Sequence, residues 1–250
     1  MRALVDDLRG EWASLDELLA DATEQDWTAP TPAAGWDVRD SVSHLAANDE
    51  LAALCITGRG EASLAVLIAL ESPEAATRSQ ADRGRDLSGG ELLHWWRTAR
   101  EELAEVLLGT DPKARVPWGA GPMSARSLAT ARLMEAWAHG LDCFTALGAV
   151  PVDTPRLRHV CHLGYRALPY AFRFAGEPQP APLAELQLVL EGPDGDVWRF
   201  GSEDAPQRIH GQAGEWARLA VQRLPLSATS TLRPEGQLAA GALRVARAFV

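Results

Sequence analysis

The sequence predicts a mostly α-helical protein with a small α+β part, built as a four-helix bundle followed by a smaller C-terminal module. Four long segments of the N-terminal part repeat apolar residues at spacings of three and four, which is typical of amphipathic helices. Segments rich in proline and glycine separate them. Towards the C-terminus, two short apolar segments flank the turn sequence GPDGD, which predicts a β-hairpin.

The first two helices have clear limits in the sequence. Residues 2–21 form the first, and the second begins at Asp37, whose side chain can cap the first turn together with Asp40. This second helix is expected to end at Gly58. The apolar stripe of the first helix consists of Leu4, Leu8, Trp12, Leu15 and Leu19.

Capping residues and glycines also mark the limits of the remaining bundle helices. Residues 61–70 predict a short helix, and residues 72–86 predict a polar crossover that contains Pro73 and Gly84. Ser88 and Glu91 form a capping box that starts the third long helix, which ends near Gly109. After a loop at 111–123, Ser124 can cap the fourth long helix and Gly148 can end it.

The C-terminal part has a different character. Its elements are a helix at 154–175, hairpin strands at 185–190 and 197–200, and helices at 216–224 and 237–249. The predicted domains are therefore a metal-binding bundle at 1–150, a connecting helix at 151–177 and a small α+β module at 178–250.

Composition excludes several classes of partner. A net charge of −10 and a pI near 5.1 give no basic face for nucleic acid or for an anionic membrane. The three cysteines are widely spaced and odd in number, which argues against a disulfide framework. The N-terminus lacks a signal-peptide pattern, and the longest apolar run is too short to span a bilayer. We therefore expect a cytoplasmic protein that acts on a small molecule, with its oligomeric state open.

Three residues have the types and spacing of metal ligands. Glu135 and His139 are four apart on the fourth helix, and His44 lies soon after the start of the second. Helix bundles build metal sites from such inward-facing carboxylates and imidazoles, and three ligands would leave coordination positions open. The alternative is a solvated pair with an unrelated histidine. Asp142 can either accept a hydrogen bond from a metal-bound imidazole or be a surface charge.

Two motifs resemble those of the DinB-like and mycothiol-dependent maleylpyruvate isomerase superfamily. They are GWDVRD with the HLA that begins at His44, and EAWAHGLD from Glu135 to Asp142, in the family's order and over residues 1–150. The loop WGAGPMS with TARLM resembles an uncharacterised branch of this superfamily. The C-terminal sequence GQAGEWARLAVQRL is loosely similar to a sterol-carrier-like domain.

The resemblance implies a DinB-like bundle that holds a divalent metal, most often zinc, on His44, Glu135 and His139. It also implies a low-molecular-weight thiol such as mycothiol, used by a transferase or isomerase on a small electrophilic substrate. Arg39 or Arg132 can anchor a substrate carboxylate through a bidentate contact, or either can be an exposed helix arginine.

Two other functions stay open at this point. One is a thiol-independent metal-dependent hydrolase or cyclase of secondary metabolism. The other is a non-catalytic protein whose metal is structural and whose α+β module carries an apolar ligand.

Overall fold

The computed structural model describes residues 1–119 and 121–248, which fall into two compact units, Met1–Pro151 and Val152–Val250. The first unit is helical apart from one two-stranded hairpin. Its elements are α1 Arg2–Leu19, α2 Val38–Ile56, α3 Glu61–Ile68, α4 Pro73–Asp82, α5 Gly89–Leu108, β1 Arg115–Val116, β2 Met123–Ser124 and α6 Ala125–Ala146.

The predicted helix starts are confirmed by their capping contacts. Asp37 accepts from the Asp40 amide at 2.8 Å, and the Asp40 carboxylate accepts from the Asp37 amide at 3.3 Å. Ser88 and Glu91 form the equivalent capping box at the start of α5. These bonds satisfy amides that have no partner within the helix, and so they fix where each helix begins.

The core of the first unit lies between the four long helices α1, α2, α5 and α6. The apolar stripe of α1 is buried along its length. The largest fully buried side chains of this unit are Trp12, Trp27, Trp96, Leu8, Leu15, Leu19, Leu45, Leu92, Leu103 and Leu107. The predicted mostly α class with a small β part is confirmed, and none of the described helices is long and apolar enough to cross a membrane.

The polar crossover predicted at 72–86 contains a helix that was not predicted, α4. Ser72 caps it by accepting from the Ala75 amide at 3.1 Å, and a proline occupies its first turn. The buried Ser43 hydroxyl ties α4 to α2: it donates to the Gln80 carbonyl at 3.1 Å and accepts from the Gly84 amide at 2.8 Å.

The loop predicted at 111–123 also contains regular structure, since β1 pairs antiparallel with β2 immediately before α6. Ala120 of this loop lies outside the described residues. Ser124 accepts from the Ser127 amide at 3.1 Å and starts α6 as predicted.

The second unit combines a four-stranded sheet with helices. Strand β3 pairs antiparallel with β4, as the GPDGD turn predicted, and parallel with β5, which pairs antiparallel with β6. The helix predicted as a connection lies in this unit as α7 and packs against α8. The elements are α7 Leu157–Phe174, β3 Leu186–Glu191, β4 Val197–Phe200, β5 Gln207–Gln212, α8 Ala213–Ala220, β6 Arg233–Glu235 and α9 Gln237–Val245.

Strands β5 and β6 were not predicted. The sequence of β5, QRIHGQ, has a single fully buried residue, Ile209, and so lacks an apolar alternation. All three residues of β6 are exposed. The predicted last helix ends earlier than expected, at Val245, and residues 249 and 250 lie outside the described part of the chain.

One carboxylate organises the segment before β6. Glu215 accepts from the amides of Ser230 and Thr231, at 3.0 and 2.9 Å, and from both hydroxyls. Burial alone would raise the pKa of Glu215, but these hydrogen bonds outweigh burial and lower the pKa to about 2.

We predict that Glu215→Gln destabilises the protein in a pH-dependent way. A pKa lowered by folding contributes stability that is present above the unfolded value near 4.5 and is lost as the pH falls towards 2. The difference in Tm between parent and variant should therefore be constant from pH 7.5 to 5.5 and smaller at pH 4. Glu203→Gln, at an exposed glutamate of the same unit, is the control, and a pH-independent difference would contradict the assignment.

Candidate metal centre

His44, Glu135 and His139 come together where α2 meets α6. His44 Nε2 lies 3.3 Å from Glu135 Oε2, and His139 Nε2 lies 3.4 Å from the same oxygen. One ligand atom from each of the three residues lies within 4.8 Å of the other two. The two predicted motifs, 91 residues apart in the chain, thus meet at one carboxylate oxygen.

The outer nitrogens of both imidazoles have polar neighbours. Asn48 donates to the His44 carbonyl at 2.9 Å and its amide lies 3.2 Å from His44 Nδ1. His139 Nδ1 lies 3.5 Å from Asp142 Oδ2, and Asp142 is almost fully buried. Asp142 is therefore not the surface charge that was one alternative, and it faces the imidazole that it was expected to orient.

Trp36, in the loop before α2, covers both histidines. Its ring stacks on His139 at a centroid distance of 5.5 Å and an interplanar angle of 11°. It meets the His44 ring edge-on at 5.3 Å. His44 and His139 are consequently only 8% and 6% exposed.

Burial and charge act in opposite directions on the three groups. Burial lowers the pKa of His44 to about 4, in spite of the bond to Glu135. Burial also lowers the pKa of His139, but the carboxylates of Asp142 and Glu135 outweigh it and the net shift is upward. Burial would raise the pKa of Glu135, whereas its bonds to His139 and His44 hold it well below the usual value.

The three residues fit a divalent cation. Two ligands at about 2.1 Å from a tetrahedral zinc are about 3.4 Å apart, which is close to the spacing of both nitrogens from Glu135 Oε2. Two imidazoles and one carboxylate suit zinc and other transition metals. The partly buried carboxylate of Glu135 and the buried carboxylate of Asp142 supply negative charge.

The two arginines predicted as substrate anchors are both engaged in ion pairs. Arg132 is buried in the core, with its Nε 2.8 Å from Asp49 Oδ1. Arg39 has a side chain 14% exposed, and its Nη2 lies 3.4 Å from an oxygen of the exposed Glu24. Neither is the exposed helix arginine of the alternative interpretation.

Arg78 was missed because α4 was not predicted. Its guanidinium lies 5.6 Å from the Trp36 ring centroid, donates to the Gly35 carbonyl at 3.0 Å and pairs with Asp40 at 3.3 Å. It thereby holds the loop that covers the histidines. The signal was present in the sequence, since Ser-Pro-Glu at 72–74 is a typical helix start.

Comparison with known proteins gives a consistent result. The sequence model of the mycothiol maleylpyruvate isomerase N-terminal domain matches residues 8–144. Uncharacterized proteins from two strains of Mycobacterium tuberculosis are each 39% identical over 245 residues, covering 98% of this chain and 94% of theirs.

Two solved structures have the same fold. They are the mycothiol-dependent maleylpyruvate isomerase and a histidine-to-alanine mutant of it, at 17% and 16% sequence identity. Both match with a TM-score of 0.61, covering 93% of this chain and 92% of theirs.

We predict that Trp36→Ala increases the reactivity of the buried histidines towards diethyl pyrocarbonate in chelator-treated protein. In the parent, His44 and His139 should react more slowly than the exposed His94, because the indole covers both rings. Peptide mass spectrometry measures each rate. Trp95→Ala, which removes an indole from α5, should leave both rates unchanged, and equal rates in Trp36→Ala and parent would show that the indole does not shield them.

Proposed function

The chain belongs to the family of the mycothiol maleylpyruvate isomerase N-terminal domain, and from this premise we propose that it is a divalent-metal-dependent enzyme. Its co-substrate in this proposal is a low-molecular-weight thiol of the mycothiol type. It acts as a transferase or isomerase on a small electrophilic molecule. Zinc is the metal that we expect.

The observation that carries the proposal is the meeting of two imidazoles and one carboxylate in a buried position. All three residues lie within the segment that the family model matches. Two imidazoles that face one partly buried carboxylate have the residue types of a metal site, since one ligand atom of each lies within 4.8 Å of the others. A bound cation would satisfy all three groups together.

Bound zinc would act as a Lewis acid that holds a thiol as its thiolate at neutral pH. His44, Glu135 and His139 would hold the ion and leave part of its coordination sphere to the thiol. Asp142 would keep His139 in the orientation that presents Nε2 to the ion. Asn48 lies against His44 Nδ1 and would limit the rotation of that ring.

The thiol chemistry accounts for both reaction types. In an isomerase, the thiolate sulfur adds to one carbon of a conjugated carbon–carbon double bond, whose electron pair moves onto the conjugated carbonyl. The resulting single bond rotates, and the carbon–sulfur bond breaks as the double bond re-forms and the thiolate leaves. In a transferase that works by addition, the adduct instead takes up the proton that the thiol lost, and the carbon–sulfur bond persists in the product. Trp36 would exclude water from one side of the histidines.

Positive charge near the covering loop would favour an anionic substrate. Arg78 has a side chain 37% exposed, and Arg39 pairs with a glutamate that is 66% exposed, so a substrate carboxylate can compete for both. Arg132 is too deeply buried for that role. We therefore retain Arg39 and add Arg78 as substrate anchors.

We predict about one zinc per chain after reconstitution, and loss of that metal in His44→Ala, His139→Ala and Glu135→Gln. Elemental analysis after gel filtration measures the stoichiometry. His94→Ala, on the exposed face of α5, should retain full stoichiometry. Retention of metal by the His44 and His139 variants would refute the site.

We predict further that a thiol binds to the metal-loaded protein. Titration of the Co²⁺-substituted protein with a low-molecular-weight thiol should produce a sulfur-to-metal charge-transfer band, and the thiol should be required for turnover of a trial electrophile. A metal-loaded protein that turns over an ester or amide without thiol would instead be a hydrolase. A metal that exchanges no ligand with thiol or water would indicate a structural site.

A further inference from the structure

A buried ion pair lies next to the candidate metal centre and outside its ligand set. Asp49 follows His44 by five residues on α2, and Arg132 precedes Glu135 by three residues on α6. Arg132 Nε donates to Asp49 Oδ1 at 2.8 Å. The two side chains are 3% and 0% exposed.

Stability alone does not account for this pair. Removing two charges from water offsets most of their attraction, and apolar replacements of similar size are often neutral or stabilising. The pair is also incompletely bonded, since Arg132 Nη2 is buried without a hydrogen-bond partner among the described residues, and the Trp96 indole is the further donor close to the Asp49 carboxyl. Burial raises the pKa of Asp49, although the Arg132 guanidinium acts in the opposite direction.

The pair joins the two helices that carry the ligands. His44 is on α2, and Glu135 and His139 are on α6, so the 3.3 Å separation of His44 Nε2 from Glu135 Oε2 depends on the axial register of these helices. Apolar contacts tolerate small axial shifts. A short charged hydrogen bond between planar groups is directional and fixes the register more strictly.

The pair also determines the net charge next to the candidate metal ligands. Arg132 carries a buried positive charge three residues before Glu135 on α6. The same charge opposes a metal cation at His44. Asp49 compensates it, so a cation can bind beside a buried arginine.

We propose that Asp49 and Arg132 form a positioning pair for the metal centre, which sets the register of α2 against α6 and neutralises Arg132. The inference rests on the proposed function in one respect, namely that the cluster binds a metal. It assigns to Arg132 a role in the core of the bundle instead of a contact with substrate.

The decisive variant is the apolar double substitution Asp49→Leu with Arg132→Met. It should unfold at a Tm equal to or above that of the parent, yet bind Zn²⁺ about 10- to 100-fold more weakly, which is the range for residues that orient metal ligands. Competition with a chromophoric chelator measures the affinity. A double variant that binds zinc as tightly as the parent would overturn the proposal, because the pair would then serve folding only.

Single substitutions separate the two roles. Asp49→Asn leaves the charge of Arg132 uncompensated and should weaken zinc binding more than Arg132→Met does. Arg132→Lys keeps the charge and a donor for Asp49, so its zinc affinity should be close to that of the parent and higher than that of Arg132→Met. This comparison does not require the double variant to fold. Equal affinities in Arg132→Lys and Arg132→Met would also overturn the proposal.

Two controls distinguish this inference from the proposed function. Arg97→Met removes an ion pair with Asp16 between α5 and α1, neither of which carries a ligand, and it should leave zinc affinity unchanged. If the parent binds no zinc, the proposed function fails. The register of α2 against α6 can then still be tested by the rate at which His44 reacts with diethyl pyrocarbonate. That rate should rise in the double variant, and an unchanged rate would overturn the proposal.

Discussion

The contact between α2 and α6 in this bundle includes one partly buried carboxylate that faces two imidazoles. Removing most of a carboxylate from water is costly unless polar groups replace the water, and His44 and His139 do so for Glu135. Those contacts require α2 and α6 to approach closely and in one register. They also require a start for α2 that is fixed within a residue, which the Asp37 capping box supplies. The capping box that starts α2 therefore helps to place His44 opposite Glu135, although the two residues are far apart in the sequence.

Polar residues in this bundle are concentrated around that carboxylate. On α2 and α6, the buried polar side chains include Asp49, Arg132 and Asp142, whereas the buried face of α1 is almost entirely apolar. An apolar core would be easier to build and at least as stable. A concentration of incompletely bonded polar groups at one helix contact is instead typical of sites where function opposes packing. The covering loop, held by Arg78 of α4, completes the same region.

The sequence predicts the parts of this arrangement that depend on local chemistry. Capping by Asp37 and Ser88 fixes helix starts through residues three positions apart, and the spacing of Glu135 and His139 places both on one face. The environment of Arg132 could not be predicted, because its partner is 83 residues away and spacing does not report it. Helix α4 had a readable start at Ser72, but its polar composition suggested a crossover. Strand β5 lacked an apolar alternation because only Ile209 is fully buried, and pairing with β3 and β6 places the strand in the sheet.

The candidate metal ligands all lie in one of the two units of the chain. All three candidate ligands, Trp36 and the ion pair of Asp49 with Arg132 lie in the first unit, and the family model ends at residue 144. The relatives at 39% identity nevertheless match almost the whole chain, second unit included. The second unit is therefore retained together with the bundle although it supplies none of the ligands. In the function proposed above, the bundle supplies the metal ligands, and selection among substrates falls to residues outside that set.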